Sequence, residues 1–316
     1  MAKRITVVIS QSQSKNPAKR NLEEEIVAGL LGERGVDVTV IPHLYDLAPE
    51  GSGMLCLQGI TGDMIVGSWL FPRAARWILD RNQVHGREGV SLLKSPGESE
   101  EDEEELAAAQ AADDDKLRVI DQRPAPNRAI YCLDLRTHAK AEPYLEEIRR
   151  IAREATTDVV GLTDWIGGAP KPEQMERYLN PAGNGNGNGN GAGQPAGPIK
   201  AAEGEGQTAH IVEEEPARRW YPVIDFSRCT NCMECIDFCL FGVYGLDKAE
   251  TILVEQPDNC RKGCPACSRV CPENAIIFPQ HKTPTIAGSN EAAGSLKIDL
   301  SKLFGAPDPG APGEAG

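Results

Sequence analysis

Eight of the ten cysteines in this 316-residue chain fall in two short runs, CTNCMECIDFC at 229–239 and CRKGCPACSRVC at 260–271. Nothing else in the sequence restricts the fold so strongly. Cysteines spaced two residues apart force a tight loop that gathers thiols in one place, and a last cysteine follows three residues later in each run. In a reducing compartment, thiols at this density bind metals or carry out redox chemistry more often than they form disulfides.

The runs belong to a repeat of about thirty residues. VIDFSRC at 223–229 aligns with VEQPDNC at 254–260, each with a hydrophobe six residues before its first cysteine. After the last cysteine of each run, LFGVY and PENAI return to apolar residues four and five positions on. A cubane iron–sulfur cluster presents four iron corners. Three closely spaced cysteines wrap three of them, and the fourth needs a thiolate from elsewhere. A zinc site needs two Cys-x2-Cys pairs separated by a longer loop, and has no use for a third and fourth cysteine at these spacings.

On these residues the segment 218–281 resembles the bacterial two-cluster ferredoxins: its first run is C-x2-C-x2-C-x3-C, and its second ends CPACSRVCP. In that family the last cysteine of each run serves the opposite cluster. The resemblance implies a small α+β ferredoxin-type domain with two [4Fe–4S] clusters. One would be held by Cys229, Cys232, Cys235 and Cys271, the other by Cys239, Cys260, Cys264 and Cys267. Two departures stand out. Leu240 follows the first run where the family usually has proline, which alters the shielding there. The second run opens C-x3-C, and Gly263 is expected to absorb the extra residue because glycine tolerates positive φ. A three-iron or labile cluster is the alternative at Cys260. Tyr221, Phe226, Phe238, Phe241, Tyr244 and Phe278 are expected to form the small core and to keep water from the clusters.

The remainder reads as an α/β domain over 1–160 with an open, mainly parallel sheet. Strands are predicted at 4–10, 36–41, 63–69 and 128–135. Helices are predicted at 18–34, at 71–82 and at 144–154, the first capped by Asn16 with Pro17 leading in. The rhythm breaks over 86–127, an insert read as disordered. Within it, residues 98–115 hold ten acids and no base, so that without them the net charge of −14 falls to −4. PAGNGNGNGNG opens a flexible linker over 181–217, and 282–316 reads as a disordered tail. A tether of this kind would leave the cysteine domain free to reach a partner.

In open α/β sheets ligands bind beyond the carboxyl ends of the strands. Ser10, Ser12, Ser14 and Asn16 form the candidate anion- or cofactor-binding loop there. His43 to Tyr45, Trp69, Arg73 and Arg136 to His138 are expected nearby. The loop faintly resembles that of flavodoxin-like proteins, which implies flavin mononucleotide, although it lacks their glycine and most of their threonines. Cys132 reads as a buried core residue and Cys56 as a loop thiol. No catalytic constellation emerges. The acidic balance argues against nucleic acid, and the longest apolar run, MIVGSWLF, is too short to cross a membrane. The expectation is a cytoplasmic iron–sulfur electron carrier whose α/β domain recognises a redox partner protein or a ligand. The alternative is a flavin-dependent oxidoreductase fed by its own ferredoxin module.

Overall fold

The computed structural model describes residues 4–93, 116–156 and 208–290. Six strands form one parallel sheet: β1 (Ile5–Ser10), β2 (Val36–Ile41), β3 (Met64–Ser68), β4 (Arg87–Glu88), β5 (Ala129–Asp134) and β6 (His210–Ile211). Their spatial order is β4-β5-β3-β1-β2-β6, so the chain reverses direction across the sheet between β1 and β3. β-branched residues at alternate positions of β1 face both ways: Ile5, Val7 and Ile9 join one core, while Val8 joins the other. This is the two-sided burial expected of a parallel sheet covered on both faces.

Helices α1 (Pro17–Leu30) and α4 (Glu142–Thr156) cover the first face through Leu22, Ile26, Leu30, Tyr144 and Ile148. Asn16 caps α1 as expected, its side chain accepting from the Ala18 N–H at 3.0 Å, with Pro17 at the first helical position. Helices α2 (Ser52–Gly59) and α3 (Pro72–Arg81) cover the second face. The segment forming α2 reads as a connection in the sequence because of its glycines. Met54 and Leu57, one turn apart and both fully buried, hold it against the sheet instead.

Every residue of α3 from Arg73 to Asp80 is buried. One side packs on the sheet; the other carries the cysteine-rich module. In that module β7 (Val223–Ile224) pairs antiparallel with β10 (Ile276–Ile277), and β8 (Tyr244–Leu246) with β9 (Ile252–Val254). Short helices α5 (Glu234–Phe238) and α6 (Ala266–Val270) occupy equivalent places in the two repeats, and α7 (Pro284–Ala287) closes the module. One apolar core runs from Val8 and Val66 of the sheet through Ala74 and Ile78 to Ile224, Phe226 and Phe278.

Composition and structure part company at three boundaries. Arg87–Glu88 pairs with β5, and the turn at 119–122 binds the module: Val119 and Ile120 donate their N–H groups to the carbonyls of Cys229 and Phe226. His210–Ile211, inside the expected linker, adds to β2 at the sheet edge. Residues 282–290, inside the expected tail, include α7, whose buried Ile286 and Ala287 lie in the shared core. The acidic residues 98–115 and the Gly/Asn repeat lie outside the described residues.

The module is docked on the α/β domain, in contrast to the freely tethered arrangement expected from the linker. Tyr45 and Tyr221 stack with ring centroids 4.3 Å apart. The Tyr45 hydroxyl donates to the Tyr221 carbonyl at 2.5 Å and accepts from its N–H at 2.6 Å, and the Tyr221 hydroxyl donates to the Tyr45 carbonyl at 2.9 Å. Arg73 of α3 donates Nε to Asp225 at 2.5 Å and Nη2 to the carbonyl of Asn274. An apolar helix face would not remain in water, and the module supplies the surface that covers it.

Candidate metal centre

Tight loops of left-handed residues place the cysteines. Asn231 (φ 61°) and Met233 (φ 66°) curl the first run. Gly242 (φ 62°) and Asn274 (φ 50°), each three residues after the last cysteine of its run, turn the chain in the same way in both repeats. Gly263, directly before the second cysteine of its run as Asn231 is in the first, has φ 81°, the left-handed conformation a glycine tolerates.

The crossing between repeats comes from the two short helices. Cys235 lies within α5 and Cys239 directly follows it; Cys267 lies within α6 and Cys271 directly follows it. In each pair the later cysteine donates its N–H to the carbonyl of the earlier one, at 3.1 Å. The members of a pair nevertheless line different cavities. Cys229, Cys232, Cys235 and Cys271 surround one, beside Ile224, Ile252 and Ile276. Cys239, Cys260, Cys264 and Cys267 surround the other, beside Phe238, Phe241 and Tyr244.

Burial is the main cause that raises the thiols of both groups: Cys229 to about 11, and Cys260 and Cys267 to about 12. Cys235 and Cys271 are raised for the same reason. Mutual repulsion adds to it along the same partition. Cys229 feels Cys271 and Cys232, whereas Cys260 feels Cys264 and Cys239. Cys235, between the groups, feels Cys271, Cys229 and Cys232, and Cys267 as well. Burial and repulsion thus disfavour the bare thiolate at Cys229, Cys235, Cys260, Cys267 and Cys271. N–H and O–H donors already point at two sulfurs: Tyr244 Oη donates to Cys267 Sγ at 3.1 Å, and the Ala275 N–H to Cys271 Sγ at 3.3 Å. Among the described residues no three His, Cys, Asp or Glu side chains converge closely enough to hold a single metal ion.

The aromatic residues divide. Tyr221, Phe226, Tyr244 and Phe278 are buried, whereas Phe238 and Phe241 are 36% and 42% exposed and Leu240 is 93% exposed. The second cavity therefore opens beside an apolar surface patch.

At the carboxyl end of the sheet, the candidate loop is satisfied from within. The buried Glu23 carboxylate accepts the Ser12 N–H at 2.7 Å, the Trp69 indole N–H at 2.8 Å and the Arg20 guanidinium at 2.9 Å. Ser10 Oγ accepts from the Leu44 N–H and donates to the Pro42 carbonyl. Ser12 Oγ and Ser14 Oγ each accept an N–H two residues on, and Asn16 is the helix cap. The Ser12 N–H is engaged by Glu23 and those of Ser14 and Asn16 by serine hydroxyls, so the loop gives no support to a flavin. The helix residue Glu23 was not legible as the occupant, because only the fold brings it under Ser12. His43 is buried beside Asp46, Arg73 belongs to the module interface, and Arg136 pairs with Asp134 at 2.6 Å. Cys132 is buried in β5, its thiol pushed up to about 12 by burial. Cys56, placed in α2, is half-buried.

No family model matches the chain. No solved structure matches it either. Two proteins of Methanocaldococcus jannaschii are similar over part of it. An uncharacterised ferredoxin is 50% identical over 66 residues, 21% of this chain and 44% of that protein. The pyruvate synthase subunit PorD is 36% identical over 59 residues, 19% of this chain and 66% of that protein. The chain thus spans less than two thirds of the length of either relative. No described helix is long and apolar enough to cross a membrane. These similarities support a ferredoxin-like domain within the chain and, at the level of the family, iron–sulfur electron transfer.

Proposed function

We propose that this chain carries single electrons through two [4Fe–4S] clusters. Cys229, Cys232, Cys235 and Cys271 hold the first, and Cys239, Cys260, Cys264 and Cys267 hold the second. The observation that carries the reading is the partition of the eight thiols into two four-cysteine cavities, each completed by the last cysteine of the opposite run. Thiols spread around a cavity suit a polynuclear cluster better than a single zinc ion.

When bound, each cluster supplies a one-electron couple, with no change in the covalent structure of the protein. The chain's own groups do the rest. Ala275 N–H and Tyr244 Oη donate to ligand sulfurs and so favour the more reduced, more negative state. Ile224, Ile252 and Ile276 keep water from the first cavity. Arg73 and Arg228 converge on Asp225, at 2.5 and 3.6 Å, and bring positive charge to the loops that bear Cys229 and Cys271. The α/β domain recognises a partner or ligand and holds the first half of the module. The similarity to a subunit of pyruvate synthase supports redox proteins as partners, with Phe238, Leu240 and Phe241 as the exposed approach to the second cluster.

The test is iron and acid-labile sulfide on anaerobically purified protein, with an electron paramagnetic resonance spectrum after dithionite. About eight of each per chain and the signal of two interacting reduced cubanes are expected. About four of each, or a three-iron signal, overturns the assignment at Cys260. Zinc without sulfide overturns the reading as a whole.

A further inference from the structure

A cleft of about 880 Å³ lies where the C-terminal half of α3, the turn after residue 119 and strand β9 meet. This is at the far end of the sheet from the Ser10 loop. One wall is apolar, formed by Ile120, Ile224, Phe226, Ile252 and Val254; the other carries Arg76, Arg81 and Arg123.

The charges in this cleft are unequally served. Asp80 is engaged by Arg123 at 3.0 Å and by His85 at 2.9 Å. Asp247 accepts the N–H groups of Ala249 and Thr251 at 2.8 and 2.9 Å. Both acids are satisfied by the protein. The guanidinium groups of Arg76 and Arg81 are not. Arg76 is 7% exposed and spends Nη2 on the Gly86 carbonyl, but its buried Nη1 has no partner. Arg81 has a buried Nε without an acceptor, and its guanidinium lies 4.9 Å over the Tyr221 ring. Burial holds the Arg81 pKa below its ordinary value, against the opposing pull of Tyr221 and Asp258. Desolvating cationic N–H groups without acceptors is costly, and two of them beside one cleft amount to an unmet demand for a hydrogen-bond acceptor.

We propose that this cleft binds a small organic anion, a carboxylate or phosphate bearing a flat apolar body. Its charged end accepts from Arg76 Nη1 and Arg81 Nε. Its body lies against Ile252, Val254 and Phe226. The volume is that of a site for an organic molecule and well beyond the needs of a bare inorganic ion. Ile224 and Ile252 also line the cavity of Cys229 and Cys271, so one layer of side chains separates the bound molecule from that cavity. If the cluster assignment above holds, occupancy by an anion lowers the potential of the first cluster more than that of the second.

The probe is 8-anilinonaphthalene-1-sulfonate, titrated calorimetrically into the full-length, iron-loaded protein. One site per chain is expected, with affinity falling at least tenfold in Arg81→Gln and in Arg76→Met and unchanged in Leu240→Ser. Arg81→Gln keeps the test decisive if Arg76→Met fails to fold. No saturable binding overturns the proposal, as does binding indifferent to Arg81→Gln or lost in Leu240→Ser. Iron and sulfide are assayed on the same samples: binding without the expected iron removes the cluster assignment and leaves the site, and full iron without binding does the reverse.

Discussion

The two four-cysteine cavities are built from the same repeat yet stand in different surroundings. The first follows the loop of Asp225, which is 1% exposed and takes Arg73 of α3 and Arg228. The second opens at the surface beside Leu240 and Phe241, at 93% and 42% exposure. In the repeat, Leu240 answers to Pro272, which is half-buried. Equivalent loops can thus be given unequal surroundings by what packs on them.

The largest test of this comparison exchanges ligands across the runs. Cys271→Ser and Cys264→Ser should each lower iron and sulfide from about eight to about four per chain. Although both substitutions lie in the second run, the first should remove the cluster at Cys229 and the second the cluster at Cys260. Double mutants with Cys232→Ser, followed by iron analysis and resonance spectra, check the partition. Loss of both clusters in either single variant would break it.

Next in size is Arg73→Met, which leaves the Asp225 carboxylate buried without its closest partner. A loss of about 3–5 kcal/mol in urea unfolding is expected. In a redox titration followed by resonance spectra, the first cluster should move to lower potential and the second should stay in place. Equal shifts in both would erase the asymmetry.

His43 asks whether the two regions share one stability. Burial holds its pKa down at about 4, against the opposing pull of Asp46. The unfolded chain, with an ordinary histidine near pH 6.5, binds this proton more readily than the folded one. Stability from the neutral ring is therefore complete above about pH 6.5 and lost as the pH falls towards about 4. His43→Gln should flatten that fall. Because one core runs through both regions, far-ultraviolet and cluster absorbance should be lost together in urea at each pH; separate transitions would show two independent units.

Tyr45→Phe removes a hydroxyl that both donates to and accepts from the Tyr221 backbone, at an expected cost of about 1–2 kcal/mol in urea unfolding. Leu240→Ser, at an exposed position, should change stability by less than about 0.5 kcal/mol. A larger loss would mean that Leu240 supports the second cavity rather than presenting it.

The strands and long helices of the α/β domain were legible because apolar residues recur at periods that only a buried sheet and amphipathic helices explain, as in RITVVIS and at Leu22, Ile26 and Leu30. Helix α2 was hidden by its glycines and strand β6 by its shortness, two residues paired only because β2 lies open beside them. The Ser10 loop was legible as polar, yet not as satisfied, since its partner Glu23 reaches Ser12 only once α1 has packed.

By itself the sequence determined the repeat, the thiols and the left-handed turn at Gly263, because cysteine spacing and glycine's freedom at positive φ are local properties of the chain. The tertiary structure alone decided that the module is docked, that Arg73 meets Asp225, and that a cationic cleft lies beside the first cavity. Those contacts join residues 73 and 225, and 45 and 221, across the chain, and the cleft brings 76 and 252 to one cavity. Such pairings are set by how buried faces find each other in three dimensions, and no periodicity or spacing along the sequence encodes them.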